Sequence, residues 1–443
     1  MPPGPSPQGS PPADGKGASA AGGGAPRAAA ETSPGLHQDI GWIVVVLSGI
    51  AAAMHIWKLP NALAVIQSEL GFTLVEAGLL MGIIQVASMA GGLLVAWSGE
   101  LFGLRRLLVA GLALLSAGSL LGAAAPTAGM LMASRAVEGV GFLLCTVLAP
   151  PLIQRTCRPE RTNIAMASWG AFQGTATLLG FASAALALGT MGWRGWWIVM
   201  AAVALAPMAP VLCWVPADRR TAMDSVRQTG ERMLTTLRHP GPWIAGAVFA
   251  AYTVQWMAIM GFLPTVYASA GLQGPWPGLL SAVVGGVNAL GALASGVLMQ
   301  RGYRARGLLL ATFATMAASS VVVFAVPWPA GAAGVAGQFA AAVAFSLVGG
   351  MAPAVLTRVA VDLPPPDGSV PAVIGLMQQI FNVGNFVGPP LLAAIATLTG
   401  GWQSTWWMTC GFGLLGCALA WLLPRNPAEV DARPSAAPAP APR

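Results

Sequence analysis

The chain has 443 residues, of which 56% are hydrophobic and 8% are charged, and its formal net charge is +7. Soluble domains carry roughly a quarter charged residues, so this composition excludes a water-soluble globular protein. Apolar runs of about 18 residues or more recur along the chain, and such runs are typical of helices that span a bilayer. We therefore expect an integral membrane protein surrounded by lipid.

The two ends of the chain differ from this apolar body. Residues 1–39 are rich in Pro, Gly, Ala and Ser, and they lack the basic start and apolar stretch of a signal peptide. Residues 425–443 have the same character, so we expect two disordered tails. The five cysteines show neither metal-ligand nor redox spacing, and we expect no disulfide framework, bound metal or cofactor.

Apolar runs between Pro, Gly and Arg residues predict an all-α fold of twelve transmembrane helices. The runs start near Ile40, Leu74, Leu104, Ala128, Asn163, Trp196, Pro242, Trp276, Ala305, Gly331, Val370 and Trp406. They form a first half at 40–215 and a second half at 241–424. The basic segment 216–240 joins the halves, and we expect it to be a partly helical connecting loop.

Positive charge is distributed unevenly over the predicted loops. Of the 22 Lys and Arg residues, Lys58, Arg135 and Arg194 alone lie outside the tails and the loops on the side of the termini. Because positively charged loops stay in the cytoplasm during insertion, both termini are predicted to be cytoplasmic, in a bacterial inner membrane. The net charge therefore reports topology and implies no nucleic-acid partner.

A tryptophan-rich motif occurs twice in the chain. GWRGWW at 192–197 falls between spans 5 and 6, and GWQSTWW at 401–407 falls between spans 11 and 12. Six crossings separate the two copies, so both face the same side, and the halves are predicted to form a parallel repeat. The preference of Trp for the membrane interface explains the residue type, but it explains the shared spacing less well.

The loop between spans 2 and 3 reads AWSGELFGLRR. It resembles the Gly-x-Leu-Ala-Asp-Arg-x-Gly-Arg-Arg loop of the major facilitator superfamily at Glu100, Gly103, Arg105 and Arg106. Ala96 and Leu101 depart from that pattern. The resemblance implies a conformational latch, in which the acid holds the cytoplasmic ends of the two halves together.

Two further spans carry the same resemblance. SRAVEGVGF in span 4 is similar to the family's Arg-x-x-x-Gly-x-Gly, and NVGNFVGPPLLAA in span 11 resembles a helix at the contact between the halves. This implies half–half contacts at Gly384, Gly388 and Pro389. AAAMHIWKLPNAL in span 1 resembles the cyanate-permease and nitroimidazole-transport group. DIGWIVV at 39–45 is more weakly similar to the start of monocarboxylate transporters.

Ionisable residues inside a span are costly, so each is a functional hypothesis. Lys58 lies about eighteen residues into span 1, past the midplane, and Pro60 should bend the helix beside it. We interpret Lys58 as a cation that faces the central cavity and binds an anionic substrate, together with His55, Trp57 and Asn61. The alternative is a lysine that extends outward to the lipid headgroups.

Arg135 and Glu138 are three residues apart in span 4 and should share a helix face. They form either a structural pair or a proton-sensitive pair, with Arg135 in the substrate site and Glu138 as the proton carrier. The family resemblance implies that spans 1, 4, 7 and 10 line the cavity. It therefore favours Tyr252, Gln255 and Trp256 in span 7 as substrate contacts, although helix packing also accounts for them.

These features predict a secondary active transporter that moves a small organic anion by alternating access, with protons as a hypothetical coupling ion. We expect a monomer. The alternatives are a multidrug efflux transporter and, less favoured, a transporter-like membrane sensor. A membrane enzyme is disfavoured, since the sequence shows neither a metal-spaced cluster nor a phosphate-binding loop.

Overall fold

The computed structural model describes residues 34–218, 223–329, 332–365 and 368–423, and the regular structure within these ranges is helical. The predicted tails at 1–39 and 425–443 lie outside the described residues, except for 34–39, which begin helix α1.

The helices of the first half are α1 (Pro34–Trp57), α2 (Leu63–Leu70), α3 (Leu74–Gly82), α4 (Val86–Phe102), α5 (Leu104–Ala123), α6 (Ala128–Thr156), α7 (Thr162–Gly170), α8 (Phe172–Leu205) and α9 (Met208–Trp214). The connecting segment contains α10 (Met223–Leu237). The helices of the second half are α11 (Pro240–Ser269), α12 (Trp276–Gln300), α13 (Ala305–Phe324), α14 (Ala332–Gly349), α15 (Met351–Ala360), α16 (Val370–Thr399) and α17 (Trp406–Leu422).

Eleven segments of the described residues are long and apolar enough to cross a membrane. One of them, Phe172–Trp214, has 43 residues. As a straight helix it would be about 64 Å long, roughly twice the hydrocarbon thickness of a bilayer. It is interrupted at Gly192, whose φ of 66° and ψ of 176° are not helical and suit glycine alone. The segment therefore makes two crossings, and the prediction of twelve spans is confirmed.

The turn at Gly192 lies at one end of the bundle. The guanidinium of Arg194 forms an ion pair with Glu69, at the end of the first span, and donates to the carbonyl of Ala125, between spans 3 and 4. Trp193 Nε1 donates to the same carboxylate at 2.6 Å. We call this end, which holds Trp193 and Trp402, the tryptophan face.

The opposite end, which we call the arginine face, shows the repeat in atomic detail. Arg105 at the start of α5 donates to the carbonyl of Leu212 at 2.6 Å, near the end of the sixth span. Arg306 at the start of α13 donates to the carbonyl of Leu423 at 2.8 Å, at the end of the twelfth. Each half thus makes the same contact at the same end, as the predicted parallel repeat requires.

The two halves meet along helices that contain small residues. Helix α16 packs on α3 and α4, and α12 packs on α8. At Gly78 a Cβ atom would lie 2.7 Å from the Cα of Pro390, so a side chain there would overlap the facing backbone. The same spot would be 2.9 Å from the carbonyl carbon of Pro389, which therefore lies at the half–half contact.

Gly384 and Gly388 do not share that position, which corrects the contact expected for them. A Cβ at Gly384 would meet the carbonyl of Ala250, and one at Gly388 would meet the carbonyl of Val254. Both neighbours belong to α11 of the same half. The two glycines therefore allow spans 7 and 11 to pack closely inside the second half.

Candidate functional site

Lys58 follows the last residue of α1, where the chain bends before Pro60. Its side chain is 0% exposed. The ammonium forms an ion pair with Glu138 on α6 and donates to Ser119 Oγ on α5 at 2.6 Å. The ring of Trp197 lies 4.6 Å from Nζ. All these partners belong to the first half, so Lys58 points into the interior of the first bundle rather than toward the headgroups.

Arg135 links α6 to the bent end of α1. Its Nη1 forms an ion pair with Glu138 and donates to the carbonyl of His55 at 2.6 Å. His55 is one of the last four residues of α1, and the carbonyls of these residues have no partner within the helix. Arg135 therefore caps α1 at the point where the first span bends.

His55 and Ser119 complete this group. Ser119 donates to Glu138 Oε1 at 2.9 Å, and its hydroxyl lies 3.3 Å from His55 Nδ1. We call Lys58, Arg135, Glu138, His55 and Ser119 the buried charge cluster. A single carboxylate accepts hydrogen bonds from an ammonium, a guanidinium and a hydroxyl within it.

The charges of this cluster do not balance. Among the residues whose burial the structure describes, Lys58, Arg135 and Glu138 are the formally charged side chains that are buried. Two cations share one carboxylate, which leaves a formal charge of +1. Moreover, Nε and Nη2 of Arg135 are buried without a hydrogen-bond partner. An uncompensated charge inside a membrane protein is costly, so the arrangement favours a further anion.

The second half has neutral residues at the equivalent places. Lys58-Leu-Pro in the first span corresponds to Phe262-Leu-Pro in the seventh, and Phe262 packs 5.3 Å from the ring of Trp402. Ser119 on α5 corresponds to Ser320 on α13, which shares a hydrogen bond with Thr409. The fold repeat therefore does not require charges at these positions, which favours a functional role for the cluster. The repeated Leu-Pro motif is the sequence signal that distinguishes Lys58 from its counterpart Phe262.

Trp57 and Asn61 lie outside the cluster, although they neighbour Lys58 in sequence. The rings of Trp57 and Phe181 are 5.5 Å apart, and Asn61 Nδ2 donates to the carbonyl of Phe181 at 2.7 Å. A Cβ at Gly278 of the second half would lie 2.7 Å from the Asn61 amide. These two residues thus lie toward the tryptophan face, and Asn61 is at the seam between the halves.

The predicted contacts in span 7 form a separate group within the second half. Tyr252 stacks on Trp256 with ring centroids 6.3 Å apart, and its hydroxyl accepts from Asn288 Nδ2 at 3.2 Å. Gln255 donates to the carbonyl of Ala251 at 2.8 Å. All three predicted residues are buried, and Gln255 Oε1 has no hydrogen-bond partner.

The predicted latch lies at the arginine face. The backbone N–H groups of Arg105 and Arg106 both donate to the carboxylate of Asp218 at 3.1 Å. Gly103, whose φ is 94°, leaves room for that carboxylate, because a Cβ there would overlap Asp218. The side chain of Glu100 lies outside what the structure describes. The role of Asp218 could not be predicted from the sequence, since this residue follows span 6 and reaches α5 only in the folded chain.

These features define a two-half helical membrane protein with a buried charged site in one half. The sequence model of the Major Facilitator Superfamily matches residues 41–365 and 244–443. The chain belongs to this superfamily and is a membrane transporter.

Similar proteins agree with this assignment. The 2-nitroimidazole transporter of Escherichia coli is 26% identical over 353 residues, which cover 76% of this chain and 83% of that protein. The cyanate transport protein CynX of Escherichia coli is 24% identical over 276 residues, which cover 61% of this chain and 69% of that protein. The expected resemblance to the cyanate and nitroimidazole group is therefore confirmed.

Two further similarities extend this picture. A multidrug resistance protein B homolog of Mycobacterium tuberculosis is 25% identical over 197 residues, 43% of this chain and 36% of that protein. The crystal structure of a bacterial homolog of the human lysosomal transporter Spinster, inward-facing and unoccupied, matches with a TM-score of 0.75. It is 12% identical and covers 90% of this chain and 99% of that chain, so it supports the fold alone.

Proposed function

We propose that this protein is a secondary active transporter that moves a small organic anion across the bacterial inner membrane by alternating access. The observation that carries the proposal is the excess positive charge of the buried charge cluster. An anion that reaches the cluster compensates this charge, and the free N–H groups of Arg135 offer it donors. Both halves lie in one chain, so a monomer is sufficient for this mechanism.

Glu138 is the proton carrier in this proposal. Its carboxylate is stabilised by Lys58 and Arg135, with Ser119 as a third donor. When a substrate anion takes up part of the positive charge around it, the same carboxylate becomes a place where a proton can bind. Anion and proton would then move together.

The contacts between the halves support a rocking motion. Near the tryptophan face, Gly278 of α12 faces Asn61 and Ala185, and Gly261 of α11 faces Met81. Glycines at these crossings let the helices approach closely and separate without disentangling large side chains. We propose that this seam closes the outer side of the transporter in the described conformation.

Uptake into proteoliposomes with an imposed pH gradient tests the function. The substrates are radiolabelled small carboxylates and cyanate, with fluorescent cationic dyes as the second class. We expect anion accumulation that depends on an acidic exterior. Flux of cationic dyes without anion flux would instead support a multidrug efflux transporter, which the similarity to the multidrug resistance homolog favours.

A further inference from the structure

We propose that Arg135 binds a substrate carboxylate through the Nε–Nη2 edge of its guanidinium, while Lys58 stays paired with Glu138. This inference rests on the proposed function and specifies which cation holds the substrate. The side chain of Arg135 is 0% exposed, yet both N–H positions on this edge have no acceptor. Buried charged donors are costly when they are unpaired, so this edge has hydrogen-bonding capacity that a ligand could use.

Of the three guanidinium nitrogen atoms of Arg135, Nη1 has hydrogen-bond partners, whereas Nε and Nη2 have none among the described residues. Nη1 is fully engaged, since it contacts Glu138 and donates to the carbonyl of His55 at 2.6 Å. These contacts hold the guanidinium in one orientation against α1 and α6. The opposite edge therefore presents its donors in a fixed direction.

The geometry of that edge selects a class of ligand. Nε–H and Nη2–H are parallel donors in one plane, and they match the two oxygen atoms of a carboxylate. A linear anion such as cyanate offers one terminal atom at a time and cannot use both donors equally. The site therefore favours carboxylates over linear anions of the same charge.

Lys58 is poorly placed for the same task. Its ammonium is already bound to Glu138 and Ser119, and the ring of Trp197 covers it at 4.6 Å. Lys58 instead compensates Glu138, so that the guanidinium of Arg135 keeps one positive charge for the substrate. One negative charge makes the cluster neutral. The structure thus points to a monocarboxylate that binds before Glu138 takes up its proton.

Arg135→Lys provides the first test, because it keeps the charge and removes the fork. Binding of benzoate and of cyanate to the purified full-length protein is measured by calorimetry. We expect the affinity for benzoate to fall at least about tenfold and that for cyanate to change less than about threefold. Equal losses for both anions would overturn the inference.

A double variant, Arg135→Gln with Glu138→Gln, separates the two cations. It keeps the formal charge of the cluster at +1 and frees Lys58 from its carboxylate partner. If the guanidinium edge is the binding position, this variant no longer binds benzoate. Benzoate affinity equal to or above that of the parent would make Lys58 the anion partner and overturn the inference.

Size exclusion and thermal unfolding show whether the variants fold. If they do not fold, a measurement on the unaltered protein still tests the inference. The protein is labelled with arginine carrying ¹⁵N at Nε. Arg135 is the buried arginine among the described residues, so its Nε–H should exchange slowly with solvent. Benzoate should shift this proton resonance downfield and benzamide should not. A slowly exchanging resonance whose chemical shift does not change on addition of benzoate would contradict the inference.

The outcomes also separate this inference from the proposed function. If the parent protein neither binds nor transports any carboxylate or cyanate, the proposed function itself fails. If the parent transports carboxylates while Arg135→Lys keeps the parent's preference for benzoate over cyanate, anion transport stands and only the role of the guanidinium edge is wrong.

Discussion

The carboxylate of Glu138 is paired with two cations, Lys58 and Arg135. The effect of a substitution in the cluster therefore depends on which of these three residues is replaced. Removing Lys58 leaves Glu138 paired with Arg135, so the remaining pair is neutral and folding should persist. Removing Glu138 leaves two unpaired cations near one another. The three side chains therefore predict different phenotypes although they form one network.

Lys58→Met should abolish anion uptake without unfolding the protein. The change removes the excess positive charge of the cluster, because the charge of Arg135 is then balanced by Glu138. We expect substrate affinity to fall at least about tenfold, or about 1.4 kcal/mol, because no excess positive charge remains to attract the anion. Lys58→Arg should keep part of the affinity. Arg194→Met, which removes a cation paired with Glu69 outside the cluster, is the control and should retain uptake.

Substrate titrations of the correctly inserted variants provide the measurement. An affinity of Lys58→Met within about twofold of the parent, some 0.4 kcal/mol, would exclude any contribution of the Lys58 charge to binding.

Glu138→Gln should separate anion binding from proton coupling. The amide cannot take up a proton, and it leaves both cations free to attract an anion. We expect exchange of labelled for unlabelled anion to continue, while accumulation driven by a pH gradient is lost. Both are measured in the same proteoliposomes. Accumulation that follows the pH gradient in this variant would show that another group carries the proton.

At the scale of helices, Asp218 connects the end of the sixth span to the start of α5. Its carboxylate accepts two backbone N–H groups at a helix N-terminus, where negative charge is favourable. Arg155 on α6 lies 3.5 Å from the same carboxylate. Three helix ends of the first half are therefore held together by one aspartate at the arginine face.

Asp218→Ala should lower the stability of the first half by about 0.5–2 kcal/mol, the usual cost of losing a helix cap. Thermal unfolding in detergent measures the effect. Asp362→Ala is the matched control, because Asp362 is more exposed and pairs with Arg358 across one helical turn. A smaller loss for Asp218→Ala than for Asp362→Ala would contradict the capping role.

The sequence predicted the helices far better than the site. The apolar runs and the arginine-containing loops between them are sufficient to predict twelve spans, and the tryptophan-rich motif marks the turn at Gly192. The partners of Lys58 could not be read in this way, because Glu138 lies 80 residues away and meets it only through packing. Span 1 is apolar on every side, so hydropathy does not show which way a lysine on it points. The two Leu-Pro motifs differ in the preceding residue, which is charged in Lys58-Leu-Pro and apolar in Phe262-Leu-Pro, and this difference identifies Lys58 as a candidate functional residue.

At the scale of the whole molecule, the proposed alternating-access cycle requires the seam at the tryptophan face to open once per transport cycle. Ala185→Cys with Gly278→Cys, in a background without the native cysteines, should form a disulfide between α8 and α12, since the two Cβ positions nearly touch. We expect this cross-link to stop transport and a reductant to restore it.

The pair Gly174→Cys with Ala289→Cys joins the same helices nearer the middle of the membrane and serves as the control. Rocking about the midplane changes this distance least, so more transport should remain after cross-linking. If both cross-links stop transport equally, the halves do not pivot there.

The excess positive charge of the first bundle also makes the cycle sensitive to membrane voltage. In the proposed cycle the empty transporter carries that charge through part of the bilayer as it rocks, and the transporter loaded with a monoanion and with a proton on Glu138 carries the same charge. A potential acts on one elementary charge with about 2.3 kcal/mol per 100 mV, scaled by the fraction of the field that the charge traverses. A negative interior therefore assists the loaded protein as it turns inward and opposes the empty protein as it turns back outward. These two effects cancel over a complete cycle of anion and proton uptake, so voltage changes the rates of the two steps without driving accumulation.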